Sequence, residues 1–410
     1  MNQGYRAPVG TKPPHKIKMA FGLFVACVLF YGAFLEPTPE NIGFLYALFV
    51  AAFGTCAALS IGTVLKPTWY LAAFFFSFSV GLTVATVRSN DTIDVVRDLI
   101  ALSFLFIVPS IIWRFRYRRL ADLLTIAMAT AGAFLSVRFV LRAENGFSNL
   151  LHQNIRPDFS YLSSEPLVMF APLAFTRLFF STRLPIHWRL AAAAAAAISL
   201  VGLIASTYRG PLIVVFLYGI WCAAFSTLRV KLTAIPLGLA GLWFARNEIF
   251  LIYEKVARKF EAVGDNSKLS EALGIFGREV SWTEFLFGNG LGGQITLTWA
   301  DAGLNYAHNF FSYTYAKFGA LVFVALLILC FRLAREYRII LRHDLLPEAL
   351  TLAYIGMMQG AYKHFGFGLI LGLLVLRIRI ERRAFTAAPN TDMRYRRGKI
   401  SRKRPVFSAR

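Results

Sequence analysis

The chain has 410 residues, 57% of them hydrophobic and only 16% charged, with a formal net charge of +22. Soluble domains carry about a quarter charged residues, whereas here the apolar excess falls in runs of about 20 residues, the length of an α-helix that crosses a bilayer. That pattern excludes a soluble enzyme, and the position of the positive charge argues against nucleic-acid binding: 12 Lys or Arg stand between Arg377 and Arg410, and the other basic clusters occupy short loops between apolar runs.

In chain order, Met1 to Lys18 is polar and basic, with Pro8, Pro13 and Pro14. The apolar run behind it lacks a small-residue cleavage site and reads as an anchor rather than a removed signal. Spans are expected near 19–35, 43–65, 68–87, 96–113, 120–141, 165–181, 189–206, 211–227, 231–246, 307–331, 347–362 and 365–380. From a cytoplasmic N-terminus, the inner loops hold Lys66, the Arg114–Arg119 cluster, Arg183 with Arg189, Arg229 with Lys231, and the run from Arg332 to Arg342. The outer loops are richer in acid: Glu36 and Glu40, Asp91 and Asp94, Glu144 and Asp158. The alternation follows the positive-inside rule throughout. The expected fold is therefore all-α, a polytopic bundle of about 12 transmembrane helices with both ends cytoplasmic. Residues 1–410 form one integral membrane domain, with a large outer loop at 247–306 and a basic cytoplasmic tail at 381–410.

Several features qualify that frame. The Ala191–Ala197 run reads as a smooth helix-packing surface. Cys27, Cys56, Cys222 and Cys330 lie in apolar runs, so they read as small hydrophobes, with no disulfide framework and no metal site. In the long loop, Ile252, Val256, Phe260 and Val263 recur at helical spacing opposite Glu254, Lys255, Arg258 and Lys259, the pattern of an interfacial amphipathic helix. A second helix is expected from Ser270 to Phe287, stopped by the glycine cluster at 288–293. That cluster has no Lys-Ser/Thr after it and no strand before it, so a nucleotide loop is excluded.

Three side chains on the outer face carry the candidate chemistry. Arg209 is the only charge in the turn Ser206-Thr207-Tyr208-Arg209-Gly210-Pro211. Taken alone it could snorkel to lipid phosphate; its fork also suits bidentate binding of an anionic substrate, and Gly210 permits close approach to the backbone. Arg278, in Gly277-Arg278-Glu279, reads either as a solvated helix arginine paired with Glu279 or Glu284 or as a second anion contact. His308, in Ala307-His308-Asn309-Phe310, reads either as a helix-end residue or as a base near neutral pH.

The order of these motifs resembles the O-antigen ligase and polysaccharide polymerase family: Arg-Gly opening a span, Gly-Arg-x-x-x-Trp and Gly-x-Gly-Leu-Gly in a long loop, then His-Asn-Phe before Phe318-Gly319-Ala320. The resemblance covers about residues 190–335 and departs at Tyr208, where a small serine precedes the arginine in the family. It implies an inverting, metal-independent glycosyl transfer without a cofactor at the periplasmic face of a bacterial inner membrane. The donor would be a glycan on undecaprenyl diphosphate and the acceptor a glycan or lipid A-core hydroxyl, with membrane lipids as surroundings. Arg209 and Arg278 would clamp the diphosphate, with Gly210 beside them, and His308 with Asn309 would hold the acceptor. Arg138, Arg142, Arg156 and His152 fall on the same face and would line a glycan path.

A secondary transporter or lipid-linked glycan translocase is the competing class. It would place ionisable residues deep in the bundle and break two helices in matching positions. Asp98, Asp122, Glu165 and Glu348 are expected at span ends, which disfavours transport. Lys317, about three turns below His308 by helical rise, is unexplained by either class.

Overall fold

The computed structural model describes residues 13–35, 69–141, 165–181, 184–205, 209–228, 231–232, 246, 250, 268–295, 307–342, 345–358 and 360–387. The spans expected over 43–65 and 231–246, the amphipathic helix around Ile252–Val263, and Arg142, His152 and Arg156 lie outside these residues, apart from the ends of the 231–246 segment. So does the tail beyond 387.

Every described element is helical. In chain order they are α1 (His15–Phe34), α2 (Trp69–Val87), α3 (Thr92–Ile112), α4 (Arg118–Leu141), α5 (Pro166–Phe180), α6 (Ile186–Ala205), α7 (Arg209–Phe225), α8 (Lys268–Phe276), α9 (Trp282–Phe287), α10 (Phe310–Ala334), α11 (Tyr337–Arg342), α12 (Leu346–Met358), a 3-10 turn (Gly360–Lys363) and α13 (Phe365–Ala387). Five stretches are long and apolar enough to cross a membrane: α1, α3, α4, Ile186–Ile204 within α6, and α10. Segments of α2, α5, α7 and α12 are apolar but shorter. The molecule is a membrane protein on that composition.

Small residues decide how closely the helices pack. Along α4, Ala131 lies under Gly32 of α1, Gly132 lies under the Leu167 carbonyl of α5, and Ser136 lies under Gly202 of α6. In each case a Cβ on the glycine would overlap the neighbour, so these crossings depend on the missing side chain. α4 is accordingly the most buried of the five long spans. Gly368 and Gly372, one turn apart on α13, do the same against Phe104 and Pro109 of α3. The alanine run of α6 is only partly packing surface. Ala192 and Ala196 are buried, whereas Ala191, Ala194 and Ala197 face outward.

Cross-links between helix ends establish one common end of the bundle. Arg138, near the end of α4, donates to the Gly32 and Leu35 carbonyls at the end of α1, at 3.0 and 2.8 Å. Tyr31 meets Phe365, the first residue of α13, edge to face, with centroids 5.3 Å apart. Tyr362 donates to the Ala307 carbonyl at 2.7 Å, tying the turn after α12 to the approach to α10. Asn90, between α2 and α3, donates to the Asn289 and Leu291 carbonyls at 2.9 and 2.8 Å. Gly210, in the first turn of α7, lies against Tyr354 near the end of α12. His308, Arg138, Gly210 and the start of α13 therefore share one end, called the site end below.

One expectation is corrected here. The helix expected over Ser270–Phe287 is two helices, α8 and α9, separated by the turn at Gly277. Ser281 caps the second by accepting from the Glu284 amide at 3.3 Å. The glycine cluster stops α9 as expected, with Gly288 at its C-cap, and residues 288–293 are buried.

Candidate functional site

The buried glycine segment reaches the bundle because α10 breaks to receive it. Gly319 leaves helical geometry at φ 69°, ψ −174°. The carbonyls of Ala316 and Lys317, just ahead of the break, accept from the Asn289 and Gly290 amides at 2.8 and 2.9 Å. The Leu291 amide donates to the Gly81 carbonyl of α2 at 3.0 Å. Backbone at membrane depth is tolerated where protein satisfies its polar groups, and here α10 and the segment satisfy each other. The contact has no room for side chains, since a Cβ on Gly288 would strike the Lys317–Gly319 backbone and one on Gly319 would strike Leu286. Both glycines also have positive φ, which L-residues adopt at a cost.

Lys317 now has an account. Its ammonium is fully buried and donates to Asp98 at 2.7 Å and to the Gly293 carbonyl. Asp98 also accepts from the Gly292 amide at 2.9 Å and from Lys363 at 3.1 Å. Lys363 lies over the Tyr313 ring, 4.4 Å from its centroid. Asp98 was expected near a span end. It is 0% exposed and anchors two cations. Glu165 and Glu348 are likewise buried. Glu348 pairs with Arg177 at 3.3 Å, and Arg377 meets Asp122 at 2.8 Å, both away from the site end. Sequence position along a helix gives depth but not which face turns inward, so burial of these acids was invisible.

His308 stands above this cluster, where the chain enters α10. Asn309 caps the helix, its side-chain oxygen accepting from the Phe311 and Ser312 amides at 2.8 and 3.4 Å. The cap uses only Oδ1 of Asn309. His308 is held twice by Glu271 of α8: its amide donates to Oε1 at 2.9 Å, and its Nδ1 lies 2.6 Å from Oε2. With Nδ1–H donated to the carboxylate, the lone pair falls on Nε2, the arrangement that orients a general base.

The same device recurs beside it. Glu165, at the start of α5, has its Oε2 2.7 Å from His364 Nδ1 and accepts from the Gly366 amide at 2.9 Å. Sequence reasoning missed Glu271, Glu165, Lys363 and His364. The available signal was Lys363-His364 in the short gap before the last expected span, matching His308 before another.

Arg278 is paired with Glu284, which also lies 3.7 Å from Arg88. Arg88 donates to Asn289 Oδ1 at 2.8 Å, so this chain of charges ends on the buried glycine segment. Arg209 is the first residue of α7 at the site end, and its side chain falls outside what the structure describes. No described contact joins Arg209 or Arg278 to His308. Arg138 donates through Nη1 to two backbone carbonyls at the end of α1, so it also ties α4 to α1.

An apolar slot opens below Lys363. It has a cavity volume of about 80 Å³ and follows α10 from Phe310 and Tyr313 down to Leu329, walled by Ser77, Leu105 and Phe106. Among the described residues no cluster of three metal-ligating side chains occurs. No protein-family model matches this sequence, and no curated protein is significantly similar to it.

Proposed function

We propose that the protein is a glycosyltransferase of the O-antigen ligase and polysaccharide polymerase type. It would work at the periplasmic face of a bacterial inner membrane, with about twelve spans, both termini cytoplasmic and the 247–306 loop periplasmic. The observation that carries this reading is the Glu271–His308 pair, a carboxylate-held imidazole just ahead of α10.

The chemistry runs as an inverting displacement. An acceptor hydroxyl, on a glycan or on lipid A-core, attacks the anomeric carbon of a glycan carried on undecaprenyl diphosphate. Its proton passes to Nε2 of His308 as the new carbon–oxygen bond forms. The bond to the diphosphate breaks with its electron pair, and Arg209 and Arg278 take up the developing charge. Arg278 already meets Glu284, but a guanidinium carries five N–H donors in a fork, enough for a carboxylate and a phosphate together. The apolar surfaces of the spans hold the polyprenyl chain.

A complementation assay tests it. His308→Ala, Arg209→Ala and Arg278→Ala should each insert normally and each abolish the surface polysaccharide that the wild-type gene restores. Retention of polysaccharide by all three variants would end the assignment. Arg209→Lys should restore little, because an ammonium cannot supply the fork.

A second reading is favoured by a particular observation. The buried Asp98–Lys317–Lys363 cluster and the break in α10 at Gly319 are features of ion-coupled transporters. In that reading the cluster binds and releases a proton or cation while the lipid-linked glycan crosses the bilayer. Two facts weigh against it: Asp98 is saturated by two ammonium groups and an amide, and no second helix break in a matching position appears among the described residues.

A further inference from the structure

A second cavity lies at the opposite end of the bundle from His308, between the far ends of α10 and α13. It has a volume of about 720 Å³ and is lined by Trp113, Leu329, Arg332, Leu333, Arg335, Glu336, Val375, Ile378, Arg379 and Arg382. Four arginines thus face one glutamate. Glu336 is already engaged, accepting from Arg382 Nε at 2.8 Å. Arg379 stacks its guanidinium 3.9 Å from the Trp113 ring centroid, which fixes its plane. Arg332 and Arg335 are exposed at the rim. Leu329, Leu333, Val375 and Ile378 form an apolar wall between the charges.

Depth identifies what such a pocket meets. Arg332 lies 22 residues along α10 from Phe310, at most roughly 33 Å by helical rise given the break at Gly319, near the hydrocarbon thickness of a bilayer. The arginines therefore sit at the headgroup level of the other leaflet, with the apolar wall facing the acyl region. A soluble anion would gain nothing from that wall, whereas a lipid uses both surfaces.

We propose that this pocket binds an anionic phospholipid, its phosphate held by Arg332, Arg335 and Arg379 and its acyl chains laid along Leu329, Leu333, Val375 and Ile378. Arginine forks match phosphate oxygens in two-point contact. The proposal is independent of the transferase reading.

The test uses full-length protein in nanodiscs of phosphatidylcholine with increasing phosphatidylglycerol, reading retained lipid by native mass spectrometry and stability by thermal melting. Wild type should retain phosphatidylglycerol in preference to phosphatidylcholine and melt higher as its fraction rises. An Arg332→Gln/Arg335→Gln variant should lose that preference by on the order of 30-fold, from about fivefold per arginine. Arg338→Gln, an exposed arginine outside the pocket, should leave it unchanged. Should the double variant fail to fold, Arg335→Gln alone should lower the preference about fivefold. Pyrophosphate is the soluble probe. If it binds the pocket with no selectivity for phosphatidylglycerol, the lipid assignment is overturned. An equal loss in Arg338→Gln would overturn it too, by reducing the effect to general surface charge.

Discussion

Glu271 meets both the amide and the ring of His308, so the carboxylate places the imidazole and supports positive charge on it. Glu271→Gln keeps an oxygen for the amide but replaces an anion with a neutral partner. It should therefore reduce transfer, by roughly 10- to 100-fold against the 10²–10⁴ expected for loss of the base itself. Measured kcat for the purified variant checks this, and a value equal to wild type would remove His308 from the chemistry. Asp98 gives the second residue-scale expectation. It satisfies two buried ammonium groups and one amide, and breaking a buried pair costs about 3–5 kcal/mol because the orphaned charge stays buried. Asp98→Asn orphans two cations, whereas Lys317→Met leaves Asp98 still paired with Lys363. Asp98→Asn should melt lower than Lys317→Met in detergent, and the reverse order would show that the cluster is not held by its anion.

At the scale of elements, the central joint is the docking of residues 288–293 into the break of α10. Gly319→Ala adds a Cβ where Leu286 already lies and imposes a positive φ on an L-residue. The backbone term alone is about 1–2 kcal/mol, and the overlap adds to it, so the variant should lose its monodisperse folded peak or melt several degrees lower. A melting point unchanged within a degree would mean that the joint does not form. The sequence made the long helices legible because a bilayer demands apolar runs of fixed length, and ten of the expected spans have a described helix at nearly the same residues. It did not reveal this joint. Glycine is common in membrane helices, so Gly319 gave no sign of a break, and the amides that fill the break come from about 30 residues upstream. Gly277 divided α8 from α9 for a similar reason. The apolar pattern continues through it, and only the local turn separates Glu271, which holds His308, from Glu284, which holds Arg278.

For the whole molecule, contacts between helix ends bring His308, Gly210 and Arg138 to one end of the bundle. Gly210 of α7 packs on Tyr354, Arg278 joins Arg88 through Glu284, and Ala307, just before His308, accepts from Tyr362. The charge pattern of the loops predicts which loops share a face, because helices that alternate in direction bring every second loop to the same side. It left the partners of each side chain hidden, since Glu271, Glu165 and Asp98 act through contacts distant in sequence. What distinguishes an enzyme from a carrier on this scaffold is whether a bond is made. The direct measurement mixes the purified protein in detergent with undecaprenyl-diphosphate-linked glycan and acceptor, without nucleotide or ion gradient, and counts product linkages against released undecaprenyl diphosphate. One lipid diphosphate released for each new glycosidic bond, lost in His308→Ala, is the expected result. Absence of any new linkage, alongside movement of the intact lipid-linked glycan across vesicles, would contradict it.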